Sequence, residues 1–220
     1  MEGSKPNGKA VTLARSPIDR RCHVCAFFNS LEDEYSVMLP FLKEGLEAGE
    51  KIFQIMDNRQ RTERRRRLTE TGIDADAAER NGMLEVRSWE QAYLSRGRFD
   101  QYAMIALVEN IAKDGESRSG GKRLWANMEW ALHDFPGVHD IVEYESRLNY
   151  MLPKYDMATV CTYDLTRFDA TVVMDVLRTH PQVVIGGMVR ENPFYVAPDE
   201  LLRELGDRRS DHSAPANPGG

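Results

Sequence analysis

The heptapeptide Asn29-Ser30-Leu31-Glu32-Asp33-Glu34-Tyr35 follows an apolar, strand-like run and opens an amphipathic segment. In a nucleotide-binding protein that position carries G-x-x-x-x-G-K-[ST], whose backbone cradles phosphate and whose lysine reaches the β- and γ-phosphates. Here the loop holds no glycine and no lysine, and its three carboxylates would repel a triphosphate. Two readings of the acids stay open. Ser30 or Asn29 caps a helix while Glu32, Asp33 and Glu34 complement its dipole, or the acidic lip binds a cationic ligand or partner.

Other residues with chemical capacity fall near the ends of apolar runs. Cys22-His23-Val24-Cys25 contains C-x-x-C, but zinc needs four ligands and no second cysteine pair follows. On a strand His23 and Cys25 share one face and Cys22 takes the other, so core packing is expected and a redox or metal role is the alternative. Glu129, in Met128-Glu129-Trp130, reads as a buried carboxylate of a functional site or as the partner of Arg123 or Arg167. On a helix, Glu145 and Asn149 share a face, as do Tyr144 and Arg147; Glu145 and Asn149 present polar groups to a pocket or anchor a neighbouring loop. Asp164 closes Cys161-Thr162-Tyr163-Asp164 and is expected to pair with Arg167 or cap a helix. His180-Pro181 reads as a helix stop, with His180 as ligand donor or pH-sensitive contact the alternative. Arg64 to Arg67 form a basic run that points around a helix; it is solvated or docks an acidic partner. No serine elbow, H-E-x-x-H or G-x-G-x-x-G is present, so no enzyme, catalytic residue, cofactor or resident metal is expected.

The elements that would position these groups follow from periodicity. Strands are expected at His23 to Phe28, Lys51 to Met56, Met83 to Ser88, Arg123 to Met128 and Met157 to Tyr163. Helices are expected at Glu34 to Ala48, Arg59 to Thr71, Ser88 to Leu94, Phe99 to Asp114, Val138 to Leu152 and Asp169 to His180, with Gly49 and Gly72 as stops. This alternation predicts a three-layer αβα fold with a mostly parallel sheet, and ligands at the carboxyl ends of its strands. Val183 to Met188 and Asn192 to Tyr195 read as a final hairpin or loop at a sheet edge, where a homodimer could form.

The chain has 220 residues, 41% hydrophobic and 29% charged, with a formal charge of −6. That suits one domain and argues against direct nucleic-acid binding. No run approaches the length of a membrane span, no signal peptide is visible, and three cysteines make no disulfide framework; a reduced, cytoplasmic setting is the expectation. Residues 1–17 and 207–220 read as disordered, leaving 18–206 as the folded domain.

Seven motifs in order carry a resemblance: H-V-C-A-F-F, P-F-L-K-E-G-L-E-A-G-E, M-E-W-A-L, Y-E-S-R-L-N, C-T-Y-D, H-P and N-P-F-Y, spread from His23 to Tyr195. The chain resembles the MEDS domain, a sensory domain named for methanogen and methylotroph regulators of the dichloromethane-repressor type. The family is similar to RecA/KaiC-type ATPases in layout, and Phe41 to Glu50 resembles the end of their phosphate-loop helix. Counting back along that helix places Glu34 at the lysine position and Tyr35 at the hydroxyl position. The resemblance implies a sensory domain with a degenerate phosphate loop, binding a small organic ligand in the strand-end crevice. Candidate contacts are His23, Cys25, Asn29, Glu34, Glu129, Trp130, Tyr144, Glu145, Tyr163, Asp164, His180 and Tyr195. With too little chain beside it for a helix-turn-helix, its output is expected to act on a protein partner in trans. A ligand-free interaction module and a residual ATPase are the alternatives.

Overall fold

Apolar runs that alternate with amphipathic segments fold into three packed layers. The structure, a computed structural model, describes residues 11–94, 96–114 and 120–213, the last three by backbone alone. Two short strands, β1 (Val11–Leu13) and β2 (Ser16–Ile18), precede β3 (His23–Phe28) and α1 (Leu31–Glu47). There follow β4 (Lys51–Met56), α2 (Arg61–Glu70), α3 (Ala75–Arg80), β5 (Leu84–Ser88), α4 (Gln101–Lys113) and β6 (Lys122–Asn127). The chain continues through α5 (Ile141–Leu148), β7 (Met157–Asp164), α6 (Ala170–Leu177), β8 (Gln182–Ile185), β9 (Met188–Glu191) and α7 (Pro198–Ser213).

The main sheet has seven strands in the order β5-β4-β6-β7-β3-β8-β9. All neighbours are parallel except the terminal β8–β9 hairpin. Strand β3 is buried along its whole length between β7 and β8, both of which come late in the chain. Its alternation divides two cores. Val24, Ala26 and Phe28 join α1, α2, α3 and the β1–β2 hairpin, while Cys25 and Phe27 join α4, α5 and α6. A face covered on both sides explains why β3 reads as a continuous apolar run.

The first correction concerns the amino end. Residues 11–17, expected to be disordered, build the β1–β2 hairpin, whose Val11, Leu13 and Ile18 are core residues; residues 1–10 lie outside the described residues. Its two-residue turn places Ala14 and Arg15 at φ 46° and 62°, where hairpins ordinarily use asparagine or glycine. That missing signal is why the sequence hid the hairpin. Arg15→Gly is therefore expected to raise stability by about 1 kcal/mol, read as a rise of about 2–4 °C in melting temperature.

The carboxyl end differs likewise. Helix α7 runs to Ser213, past the expected boundary at Gly206, and residues 214–220 lie outside the described residues. Leu201 is wholly buried, Arg178 pairs with Glu204, and Arg209 pairs with Glu143. Arg178 and Arg208 hold the Glu204 carboxyl down at about 2. Burial would raise Glu143, but Arg209 and Arg147 outweigh it and hold it below its ordinary value. Both carboxylates are depressed in the folded chain, so their contribution is present above the ordinary carboxylate pKa of 4.5 and is lost as pH falls toward 2. Amides of α7 are expected to lose protection from hydrogen exchange in that window before those of the sheet.

Two interior helices also depart from expectation. Ser88 to Leu94 makes turns instead of a helix, because Trp89, Tyr93 and Leu94 all fold into the core and the Trp89 indole donates to Asn127 O at 3.2 Å. The expected helix Val138 to Leu152 is broken into α5 and two flanking 3₁₀ turns, the second containing Pro153.

Candidate functional site

The carboxyl edge of the sheet is built by the ends of β3, β6 and β7 and by the start of α1. Ser30 Oγ accepts from Asp33 N at 3.2 Å, which fixes the helix start as the composition suggested. Glu32 reaches outward to Arg67 at 2.9 Å. Glu34 turns inward and is only 4% exposed. Its Oε1 accepts from Thr162 Oγ1 at 2.6 Å and from Trp125 Nε1 at 3.1 Å, and its Oε2 lies 3.9 Å from Arg64 Nη2. The buried Arg64 guanidinium in turn lies 3.9 Å from the Trp125 ring centre. Within the basic run, then, Arg64 is a core cation, while Arg66 and Arg67 pair with Glu63, Glu70 and Glu32. Behind the start of α1, an acid, a cation and an indole of the chain itself are packed together.

Glu129 begins a 3₁₀ turn after β6 and pairs with Arg167, not Arg123. Burial pushes its pKa up, and Arg167 offsets that only in part. Asp164 does not pair with Arg167 as expected. Its Oδ1 accepts from Thr166 N and Thr166 Oγ1 at 2.8 and 2.7 Å, closing a tight turn. Glu34, Asn127, Glu129, Thr162 and Asp164 line a pit with room for about one water molecule.

Four expected contacts lie elsewhere. Trp130 stacks on Tyr93 with ring centres 4.5 Å apart and meets Phe99 at 4.4 Å. Tyr144 meets Phe99 edge-on at 5.4 Å. Both are core residues of the α4–α5 side, because a large ring next to a strand end packs better inward than into a polar pit. Asn29 is exposed, in a shallow surface depression beside Gly186 and Gly187, and Tyr195 is half-buried beyond β9.

A second constellation lies inside the domain, on the α5–α6 side of the sheet. Parallel register places Cys25 beside Cys161 and Phe27 beside Tyr163, and His23 precedes them on the same face. Glu145 of α5 points up at this face, and His180 reaches it from the turn after α6. His23, Glu145 and His180 are 4%, 0% and 0% exposed. Glu145 Oε1 accepts from Tyr163 Oη at 2.9 Å. Its Oε2 lies 3.1 Å from His23 Nε2, 3.5 Å from His180 Nε2 and 3.7 Å from Cys161 Sγ, and Cys161 Sγ lies 3.6 Å from His23 Nε2.

The neighbours of this cluster set its tautomers. The Asn149 amide donates to Thr179 O at 2.7 Å, so its oxygen faces His23 Nδ1 at 3.1 Å and accepts a hydrogen bond from it. His180 Nδ1 lies 2.7 Å from Thr179 Oγ1, whose own proton goes to Val176 O at 2.7 Å, and 3.0 Å from Val176 O, so a proton on Nδ1 satisfies both oxygens. With both imidazoles neutral, both Nε2 atoms would present lone pairs toward the Glu145 carboxylate, a meeting that requires a shared proton or a cation. Burial would raise Glu145, but His180 and His23 outweigh it and hold it well below the usual carboxylate range. Burial lowers His23, and His180 beside it lowers it further. Burial also opposes the charged form of His180, yet Cys25, Cys161 and Glu145 raise it well above its ordinary value. The Cys161 thiol is pushed up to about 12 by burial and by Glu145.

Sequence reasoning named His23, Cys25, Glu145, Tyr163 and His180 separately but set Cys161 aside. The signal that would have joined them was the register of H-V-C against T-V-C, two thiols at matching positions of parallel neighbours. His180 also meets Glu145, and Asn149 anchors the turn at Thr179 while facing His23.

The model of the MEDS family (methanogen/methylotroph, DcmR sensory domain) matches residues 22–181. The chain belongs to the MEDS family. The matched MEDS span opens beside His23 and closes beside His180, so the inner constellation lies wholly within it. The transcriptional repressor DcmR of Methylorubrum extorquens is 26% identical over 178 residues, covering 80% of this chain. The chain spans 64% of that repressor's length. A KaiC-like protein of Pyrococcus horikoshii OT3 superposes with a TM-score of 0.55 at 14% identity, covering 74% of this chain and 71% of that one. This likeness shows a KaiC-type, RecA-like fold for the MEDS domain, as the family resemblance implied. Family and relative together support a sensory, regulatory role. Among the described residues no helix is long and apolar enough to cross a membrane.

Proposed function

We propose that this MEDS domain senses a small organic ligand at the carboxyl edge of its sheet and passes the bound state to a protein partner. The observation that carries the reading is the convergence of Glu34 and Glu129, two buried carboxylates, on one pit at that edge. Open parallel sheets bind ligands there, and a wall of acceptors favours a small amine or alcohol that donates hydrogen bonds. Because the pit is water-sized at rest, binding would displace Arg167 or the turn at Glu129–Leu132, which gives the ligand a structural consequence to report. The small size of the pit and the buried carboxylate of Glu34 on its wall argue against nucleotide hydrolysis.

Thermal unfolding against a panel of small amines and alcohols tests this. A ligand at a hundred times its Kd adds about 2.7 kcal/mol, a rise of about 5–10 °C for a chain of this size. No shift across the panel, together with a co-purifying partner protein, would favour a ligand-free interaction module. Calorimetry with Mg-ATP is expected to show no binding; hydrolysis that depends on Glu129 would overturn the non-enzymatic reading.

The module reading has one observation of its own. Hairpin β8–β9 turns through Gly186 and Gly187 at the sheet edge and exposes Ile185 and Met188 to about half their surface. Among the described residues β9 is the edge strand of the sheet, and an open edge with an exposed apolar turn invites another strand, so a second copy of the chain is the partner to test first, by light scattering across a concentration series.

A further inference from the structure

The inner constellation lies apart from the carboxyl-edge pit, and the sensing role above makes no use of it. From its geometry we infer that His23, Glu145, Cys161 and His180 form a closed four-ligand site for a divalent transition-metal ion of the zinc type.

Three features of the structure support the assignment. The first is spacing. Zinc binds imidazole nitrogen, carboxylate oxygen and thiolate sulfur at about 2.0–2.3 Å, so the edges of its tetrahedron run to about 3.3–3.6 Å. The four donor atoms lie within 4.8 Å of one another, with contacts of 3.1, 3.5, 3.6 and 3.7 Å. The second is the outer contacts. Metal-binding histidines donate their second N–H to a carbonyl, carboxylate or similar acceptor, which aims the other nitrogen at the ion. His23 does this through Asn149 and His180 through Val176 O, and among the described residues the buried His180 Nε2, 3.5 Å from Glu145 Oε2, makes no hydrogen bond.

The third is charge. Two neutral imidazoles, one carboxylate and one thiolate sum to −2, which a divalent ion cancels, leaving a neutral site where an unpaired charge would be costly. Loading displaces the Cys161 thiol proton and any proton shared among Glu145 and the histidines to solvent; no redox step is involved. Mixed imidazole and thiolate donors select zinc or cobalt over magnesium or calcium. All four ligands come from the protein and none is exposed, so the ion would be structural, tying β3, α5, β7 and the turn after α6 together.

The experiment unfolds the full chain with a chelator and refolds it with Zn²⁺ or Co²⁺, followed by gel filtration and elemental analysis. One equivalent per chain is expected, and the Co²⁺ form should show a thiolate-to-metal charge-transfer band. Cys161→Ser should abolish that band and Cys22→Ser, on the opposite face of β3, should keep it. Asn149→Ala should weaken metal affinity about 10–100-fold. A refolded wild-type chain with native circular dichroism and no bound metal would overturn the site and leave a proton as the shared cation. A charge-transfer band that survives Cys161→Ser would overturn it too. The wild-type metal count decides alone if a variant fails to fold.

Discussion

Glu34→Lys is expected to destabilise the chain by about 3–5 kcal/mol and to confer no affinity for Mg-ATP. Removing one partner of a buried charge pair costs that much because the other is left uncompensated. Here the loss is compounded. The carboxylate holds Thr162 Oγ1 and Trp125 Nε1, and a lysine would place a second cation beside Arg64 Nη2, 3.9 Å from the present acid. Glu34→Gln keeps an acceptor for both donors and adds no second cation, but still leaves Arg64 without its counter-charge, and should cost less, about 2–3 kcal/mol. Urea unfolding of the two variants measures the difference. A stable Glu34→Lys protein that binds nucleotide would show that the pit is not built in the way described.

Arg123→Met carries the second large effect, about 3 kcal/mol. Arg123 is 1% exposed on β6 and runs beneath α1. It pairs with Glu50, donates to Phe41 O at 2.7 Å and reaches Glu44 at 3.1 Å. Removing it strands the buried Glu50 carboxylate, although Arg20 at 2.7 Å softens the loss and puts the effect at the lower end of the range. Glu50→Gln in the Arg123→Met background should recover part of the stability, a coupling above about 0.5 kcal/mol in a double-mutant cycle. Gly45 belongs to the same packing. A Cβ there would stand 2.7 Å from Arg123 Nε and from Ile52 Cδ1, which explains a glycine in the interior of α1.

The parts of the fold that were legible in the sequence are those governed by local periodicity. The strand at His23 to Phe28 and the helix that follows were readable because one alternates between two cores and the other carries an apolar stripe ended by Gly49. The β1–β2 hairpin was not, because Ala14 and Arg15 adopt turn angles their types do not advertise. The family could be read from its motifs. The partners of the site residues could not. Glu34 meets Trp125 and Thr162, and Glu145 meets His23, Cys161 and His180, only through strand register and helix docking. Those are long-range outcomes with no spacing rule in the chain. Trp130 and Tyr144 were drawn toward the site by the neighbourhood of their motifs, while their rings had a larger apolar surface to satisfy elsewhere.

The position of β3 has a consequence for how the chain is made. Its sheet neighbours are synthesised long after it; Cys161 lies 138 positions beyond His23. At about 5–20 residues per second, His23 to Phe28 must wait on the order of ten seconds with both edges unpaired and both faces apolar. Folding nuclei that need such distant segments close slowly. The acidic run Glu32-Asp33-Glu34, directly downstream of β3, would during that interval act as a charged gatekeeper against self-association. The same residues thus guard the nascent strand before one of them, Glu34, is drawn into the folded core.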